Sequence, residues 1–252
     1  MPSKTGGFFR SAGNFFKKMQ PRKGGRDRPG PDRPAALPSA PEGWTNPAKP
    51  DMKLSPEANA AADKFLENAR KTESKVTPKM DELAANLPAN LLGREYRLKG
   101  EDSLKTKLWN IMDRNPDLTP EQALDRVNDA VRYTVEHSPD GYTDGVKRTQ
   151  GLLKDSGFDP DPKQYKYKWN ENGTYQGINS TWRDPETRTQ FEVQHHTPES
   201  FYAKDEGTHA IYDKMKIEKD PEKYNELAKQ QADVFRNVKH PPNVEDLRNF
   251  GG

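Results

Sequence analysis

The chain has 252 residues, with 41 Lys and Arg against 39 Asp and Glu, no cysteine, and hydrophobic residues at only 31%. Without cysteine, disulfides and thiolate metal sites are excluded. No apolar run approaches the roughly 20 residues of a membrane-spanning helix, and no signal-peptide apolar region is visible. The length suits one domain plus a tail, and 22 Pro and 18 Gly in so polar a chain predict a substantial unfolded fraction.

The net charge of +2 is unevenly spread. Residues 1–50 hold ten Lys and Arg against three acids, a net of +7, which leaves −5 for the rest. A basic head on a mildly acidic body argues against a body that wraps nucleic acid by charge alone. Residues 1–52 read as a disordered, basic, Pro/Gly-rich tail and 53–252 as the folded domain. Within the tail, Phe8, Phe9, Phe15 and Phe16 beside lysines form either a short amphipathic contact segment for a membrane, a partner or a delivery machine, or a frayed leader.

Order is expected from Ser55, an N-cap followed by Pro56. One helix runs through "ANAAADKFLENARKTESKV" and a second through "TPKMDELAANL", ending at "PANLLG". "REYRLKG" is strand-like. "EDSLKTKLWNIMDR" is helical, with Leu104, Leu108, Ile111 and Met112 on one face. "TPEQALDRVNDA" opens another capped helix, "VRYTVEH" is a β-branched strand, and "YTDGVKRTQGLLKDSGF" is a helix stopped by Gly157. Three strands separated by turns at "ENG" and "DPET" follow, then helices through "SFYAKDEGTHAIYDKMK" and "DPEKYNELAKQQADVFRNV". Mixed elements around one sheet predict an α/β or α+β domain.

Four groups carry candidate chemistry. In "TQFEVQHHT", Glu192, Gln194 and His196 alternate and so share one strand face, while Phe191 and Val193 bury on the other. A carboxylate there can hold Mg²⁺ or remove a proton, and the amide and imidazole can orient a ligand; the plainer reading is a polar strand facing solvent. In "YRLKGEDSLKTKL", Arg97 and Lys99 share a strand face and Ser103 and Lys107 a helix face, a cradle for polyphosphate unless these are ordinary solvated charges. Tyr175 and Asn179 flank the bare Gly177 on a strand, an arrangement suited to stacking a flat base or simply a tyrosine of the sheet. Asp129, just before a strand, is placed to pair with Glu192 around a metal, with Asp125 and Asn128 as neighbours able to take its place. His195, His196 and His209 invite a zinc reading, but adjacent histidines of a strand point to opposite faces, which argues against it.

In order and spacing, "RLKGEDSLKTK", "DAVRYTV", "TYQGIN", "EVQHHT" and "SFYAKDEGTHAIYDKM" resemble the synthetase domain of the RelA/SpoT family of nucleotide pyrophosphokinases, over about residues 80 to 216. The resemblance implies a nucleotidyltransferase-like mixed β-sheet flanked by helices. It implies that Arg97, Lys99, Ser103 and Lys107 hold the triphosphate of ATP with Arg132 close by, and that Asp129 and Glu192 hold Mg²⁺. It places Tyr175 against the acceptor base, and Gln194, His196 and His209 on the acceptor side with Asn179. The implied reaction moves the β,γ-pyrophosphate of ATP to a ribose 3′-hydroxyl and releases AMP, with Glu192 as base. His196 where the family usually has Arg, and Asn179 where it usually has His, look more like the secreted 3′-pyrophosphokinases and toxin-type synthetases. Their acceptors include adenine nucleotides or tRNA ends; guanine nucleotides remain a third choice. No hydrolase-type His-Asp pair and no regulatory C-terminal domain accompany the motifs, which fits a toxin or delivered effector acting in the cytoplasm, reached without a standard signal peptide. An antitoxin or immunity protein, or delivery machinery contacting the tail, would be its partners. A nucleotide-binding module without turnover is the competing class.

Overall fold

The computed structural model describes residues 42–170 and 173–250. The four tail phenylalanines and the rest of residues 1–41 lie outside them. Residues 42–52, assigned to the tail by composition, instead join the folded body. Strands β1 (Trp44–Thr45) and β2 (Lys53–Leu54) pair antiparallel. The turn between them is tied by Asn46, whose Oδ1 accepts from Ala48 N (2.8 Å) and Lys49 N (2.9 Å). Its Nδ2 donates to Thr106 Oγ1 (2.7 Å), and Trp44 Nε1 donates to Asp102 Oδ1 (3.0 Å). Proline-rich composition hid an Asx turn fastened by side chains to a distant helix.

Helix α1 spans Pro56–Asn86, capped by Ser55, whose side chain accepts from Ala58 N at 3.2 Å. Two helices were expected here; the structure has one, running through Pro78. A proline inside a helix costs about 3 kcal/mol. The buried stripe Ala58, Ala62, Leu66, Ala69, Thr72, Val76, Met80, Leu83 keeps its helical spacing across the proline, and burying each large apolar side chain stabilises by roughly 1.5–3 kcal/mol. Packing of Val76, Met80 and Leu83 therefore offsets the break. Thr77 beside the proline is held as well, 2.6 Å from Tyr133 Oη.

The next strand, β3 (Ala89–Leu92), falls just before the segment expected to be one. "REYRLKG" begins instead as a 3₁₀ turn at Arg94–Tyr96 behind Gly93, whose φ of 57° admits the reversal. It touches the sheet at a single bridge, Leu98 to Val131. Helix α2 (Glu101–Arg114) and α3 (Pro120–Leu124) follow, the latter with a reciprocal Thr119–Gln122 cap. Then come β4 (Val131–His137), α4 (Tyr142–Asp155), β5 (Asp159–Pro160), β6 (Lys166–Tyr167), β7 (Ile178–Arg183) and β8 (Gln190–His196). Helices α5 (Pro198–Tyr202), α6 (His209–Ile217) and α7 (Pro221–Phe235) come last, with a π-type turn at Ala203–Gly207 between the first two. No helix of the described residues is long and apolar enough to cross a membrane.

The main sheet runs β3-β4-β8-β7-β5, with β6 also on β7. β4 and β8 are parallel and the other pairs antiparallel, a mixed sheet flanked by helices as expected. One face carries Val131, Tyr133, Val135, Phe191, Val193 and Trp182, packed in a core with α1, α2 and the end of α4. The other face carries Arg132, Thr134, Glu192, Gln194, His196, Asn179 and Thr181, set side by side by the registers Arg132–Glu192, Thr134–Gln194, Asn179–Gln194 and Thr181–Glu192. The apolar face also ends in two buried histidines. His137 Nε2 lies 3.2 Å from His195 Nδ1 with the rings stacked, and Gly145 faces His137 because a Cβ there would come within 2.3 Å of its Nδ1.

Two outcomes follow from this packing. Asn46→Ala removes three hydrogen bonds at a buried side chain and is expected to cost about 1–3 kcal/mol, read as a lower urea midpoint. The second concerns pH. Burial lowers His137 to about 4 and His195 well below the ordinary histidine value. Below about pH 6.5 the unfolded chain binds protons that these folded histidines refuse, so stability is full above that pH and falls as pH drops toward 4. His137→Leu is expected to show a shallower loss than the native chain between pH 7.5 and 4.5 in urea titrations.

Candidate active site

Strand β8 is buried along its whole length, with Glu192 and Gln194 each 6% exposed and His196 at 0%. The polar side of "EVQHH" is therefore not a solvent-facing surface. Through Gln194 it reaches a cavity of about 690 Å³ lined by Arg132, Tyr175, Asn179, Gln194, Lys204 and His209, within the range of small-ligand sites, while Glu192 lies next to this lining, in register with Arg132. Helices α6 and α7 and the π-type turn supply the cavity's far wall through Asp205, Thr208, Tyr212, Tyr224 and Gln231.

On this side of the sheet the side chains form two chains of hydrogen bonds. In the first, Gln194 Nε2 donates to Glu192 Oε2 (2.7 Å) while Gln194 Oε1 accepts from Lys204 Nζ (2.8 Å). One amide thus orients the carboxylate and a cation together. In the second, the Tyr175 hydroxyl donates to Asn179 Oδ1 (2.8 Å) and also lies 2.8 Å from His196 Nε2, while His196 Nδ1 lies 2.9 Å from Ser200 Oγ. Burial, then the nearby Glu192, raises the Tyr175 phenol above its ordinary value. Burial, then Lys204, keeps His196 well below the ordinary histidine value, so its ring is neutral at physiological pH. Gly177, at φ 152°, is required beneath this ring, because a Cβ would come within 2.9 Å of His196 Cε1 and of the His195 carbonyl oxygen.

Tyr175, Asn179, Gln194, His209 and Arg132 of the sequence-derived set meet at this cavity. His209 sits at its mouth, 3.5 Å from Asp213 Oδ2. His196 does not line it but stands behind Tyr175 as a support.

The expected phosphate cradle is divided. Arg97 closes a 3₁₀ turn rather than lying in a strand, so it does not share a strand face with Lys99. Its Nε bonds Glu73 Oε1 at 2.5 Å and its Nη1 the Arg94 carbonyl at 2.9 Å. Ser103 and Lys107 of α2 line a second cavity of about 660 Å³ with Asp129, Arg114 and Arg126. There Lys107 Nζ meets Asp129 Oδ1 (2.6 Å) and Lys99 Nζ meets Oδ2 (3.2 Å). Burial alone would raise the Asp129 carboxyl, but the two ammoniums hold it below the ordinary aspartate value.

This arrangement bears on Mg²⁺. The ion commonly takes one or two carboxylates and fills its shell with water and substrate phosphate. Glu192, whose carboxylate is oriented by the cavity-lining Gln194, fits that role. Asp129 has an ammonium on each oxygen already, and no cluster of three or more His, Asp or Glu occurs among the described residues.

Lys204 falls within the stretch "SFYAKDEGTHAIYDKM", in which the resemblance assigns a role only to His209. It lies in a turn of i→i+5 spacing, a geometry that helical periodicity does not register, and its role comes from reaching Gln194. Tyr224 and Gln231 of α7 were likewise missed, because that helix holds no motif.

No protein-family model and no curated protein matches the chain. Among solved structures it is similar to a GTP pyrophosphokinase family protein from Streptococcus pneumoniae, at 14% identity and a TM-score of 0.46, covering 75% of this chain and 91% of that one. It is also similar to the small alarmone synthetase 2 from Bacillus subtilis, at 14% identity and a TM-score of 0.44, covering 74% and 93%.

Tyr175→Phe tests the second hydrogen-bonded chain. The variant leaves Asn179 and the buried His196 without their shared partner and is expected to cost about 1–3 kcal/mol, seen as a lower thermal midpoint. An unchanged midpoint would mean that the hydroxyl does not hold the wall in place.

Proposed function

We propose that the chain is a nucleotide pyrophosphokinase, moving the β,γ-pyrophosphate of ATP to the 3′-hydroxyl of an acceptor and releasing AMP. The observation that carries this reading is the Glu192 carboxylate, oriented by Gln194 and in register with Arg132, both of which line a nucleotide-sized cavity. The sequence resemblance to RelA/SpoT synthetase motifs supports it, since the same strand is the family's E-x-Q strand.

In this mechanism Glu192 accepts the proton of the acceptor 3′-hydroxyl. The hydroxyl oxygen forms a bond to the β-phosphorus of ATP while the bond from that phosphorus to the α-phosphate oxygen breaks, and AMP leaves with that oxygen. Most of the rate in such transfers comes from positioning and charge neutralisation. Arg132 and Lys204 supply cationic charge on the floor, and Tyr175, Tyr212 and Tyr224 supply aromatic surface for a base. Mg²⁺ held by Glu192 and substrate phosphates would neutralise developing charge. The acceptor is an adenine nucleotide, a guanine nucleotide or a tRNA 3′ end. With Asp129 closed off by Lys99 and Lys107, a module that binds nucleotide without turnover is the second reading.

Incubation of the protein and Mg²⁺ with γ-labelled ATP and each acceptor in turn is expected to yield AMP together with a labelled acceptor. Glu192→Gln is expected to lower that rate by about 100-fold or more while nucleotide still binds. ADP or orthophosphate as main product removes the pyrophosphokinase reading. Binding without any product leaves the non-catalytic module.

A further inference from the structure

Arg132 and Lys204 approach the cavity floor from different elements, β4 and the π-type turn, and both line it. Among the described residues neither makes an ion pair, although the cations around Asp129, Asp184 and Glu73 are all matched with carboxylates. The Lys204 ammonium rests on the neutral Gln194 amide and lies 5.4 Å from the centre of the Phe201 ring. Burial, followed by repulsion from Arg132, draws it down to about 8, while Asp205 and Glu192 act in the opposite direction. Two like charges kept near each other on a partly buried floor are unfavourable by themselves. An anion between them relieves the repulsion and completes their hydrogen bonding.

We propose that Arg132 and Lys204 form an anion subsite that takes a phosphate group at the cavity floor, with Gln194 as the strut linking this subsite to Glu192. It rests on the reading of the cavity as a nucleotide site and adds to Arg132 a second cation, Lys204, to which the sequence motifs assign no role. The geometry suits the pairing of a guanidinium, which can engage two phosphate oxygens at once, with an ammonium acting as a point charge. Because Gln194 has one donor on Glu192 and its acceptor on Lys204, a phosphate drawn to Lys204 is held at a fixed relation to the carboxylate. The bound phosphate belongs either to the ATP chain or to the acceptor's own 5′ end.

The test is calorimetric titration of the full chain with inorganic pyrophosphate, with ATP and with AMP, each without metal. Lys204→Met is expected to weaken pyrophosphate binding about 10- to 100-fold, whereas Lys204→Arg retains most of it. Loss confined to pyrophosphate and ATP assigns the subsite to the donor chain; equal loss for AMP assigns it to a 5′-phosphate. A second measurement uses the native protein alone: acetylation of lysines at pH 8 with and without pyrophosphate, mapped by mass spectrometry. Pyrophosphate is expected to protect Lys204 and to leave the exposed Lys71 unchanged. Unaltered pyrophosphate affinity in a folded Lys204→Met variant, or equal labelling of Lys204 with and without pyrophosphate, overturns the subsite. Pyrophosphate binding that depends on Lys204 without any AMP formation keeps the subsite and removes the pyrophosphokinase reading; AMP formation with Lys204-independent pyrophosphate binding does the reverse.

Discussion

The parallel pairing of β4 with β8 sets Arg132 beside Glu192 and Thr134 beside Gln194, and every polar contact on the cavity floor inherits its position from that register. A slip of one residue in either strand would turn its whole set to the other side of the sheet. The register is held from behind: Val131, Tyr133 and Val135 of β4 and Phe191 and Val193 of β8 are all buried against α1, α2 and α4. Apolar packing on one face thereby fixes polar geometry on the other. The parallel arrangement also demands a long crossover between the two strands, which contains α4 and the β5–β7 segment that delivers Tyr175 and Asn179 to the same floor.

The far end of the hairpin is secured to the same helix. Asp184, in the turn between β7 and β8, accepts from Thr72 (3.1 Å) and Lys75 (3.1 Å) of α1. Burial would raise this carboxyl, but the Glu186 backbone N–H together with Lys75 and Thr72 holds it below the ordinary aspartate value. A continuous α1 is needed for this, because Thr72 and Lys75 precede Pro78 while Met80 and Leu83 follow it in the core. Two separate helices would have left the turn and the core to independent supports.

What could be read from the sequence was what is encoded locally. The β-branched run of β4, the alternation of β8, the Thr119 cap of α3 and the Gly157 stop of α4 each carry their cause within a few residues, and each element lies where it was expected. The elements that escaped are set by distant partners. Asn46 and Trp44 draw a proline-rich stretch onto α2. Val76, Met80 and Leu83 carry α1 through a helix breaker. β3 exists because β4 offers it an edge, and the more strand-like "REYRLKG" is left with a single bridge. At the site the same division holds: the sequence placed Glu192, Gln194 and His196 on one face, but could not tell that His196 would be spent on supporting Tyr175, or that Arg97 would be drawn to Glu73.

The charges sort in a way that bears on chemistry. Lys99 and Lys107 are neutralised by Asp129, Arg97 by Glu73 and Lys75 by Asp184, so the cations nearest the body of the fold serve the fold. Arg132 and Lys204 are held instead by an alternating sheet and a wide helical turn, without a carboxylate in ion-pair contact among the described residues. Glu192, close enough for its charge to act on Lys204, reaches it through the neutral amide of Gln194 rather than by direct pairing. A direct salt bridge would fill the cation's coordination and tie up the carboxylate. An amide between them keeps both charges oriented and separate, which is the arrangement that the proposed transfer from a phosphate chain to a hydroxyl would use, with one group to hold the anion and another to take the proton.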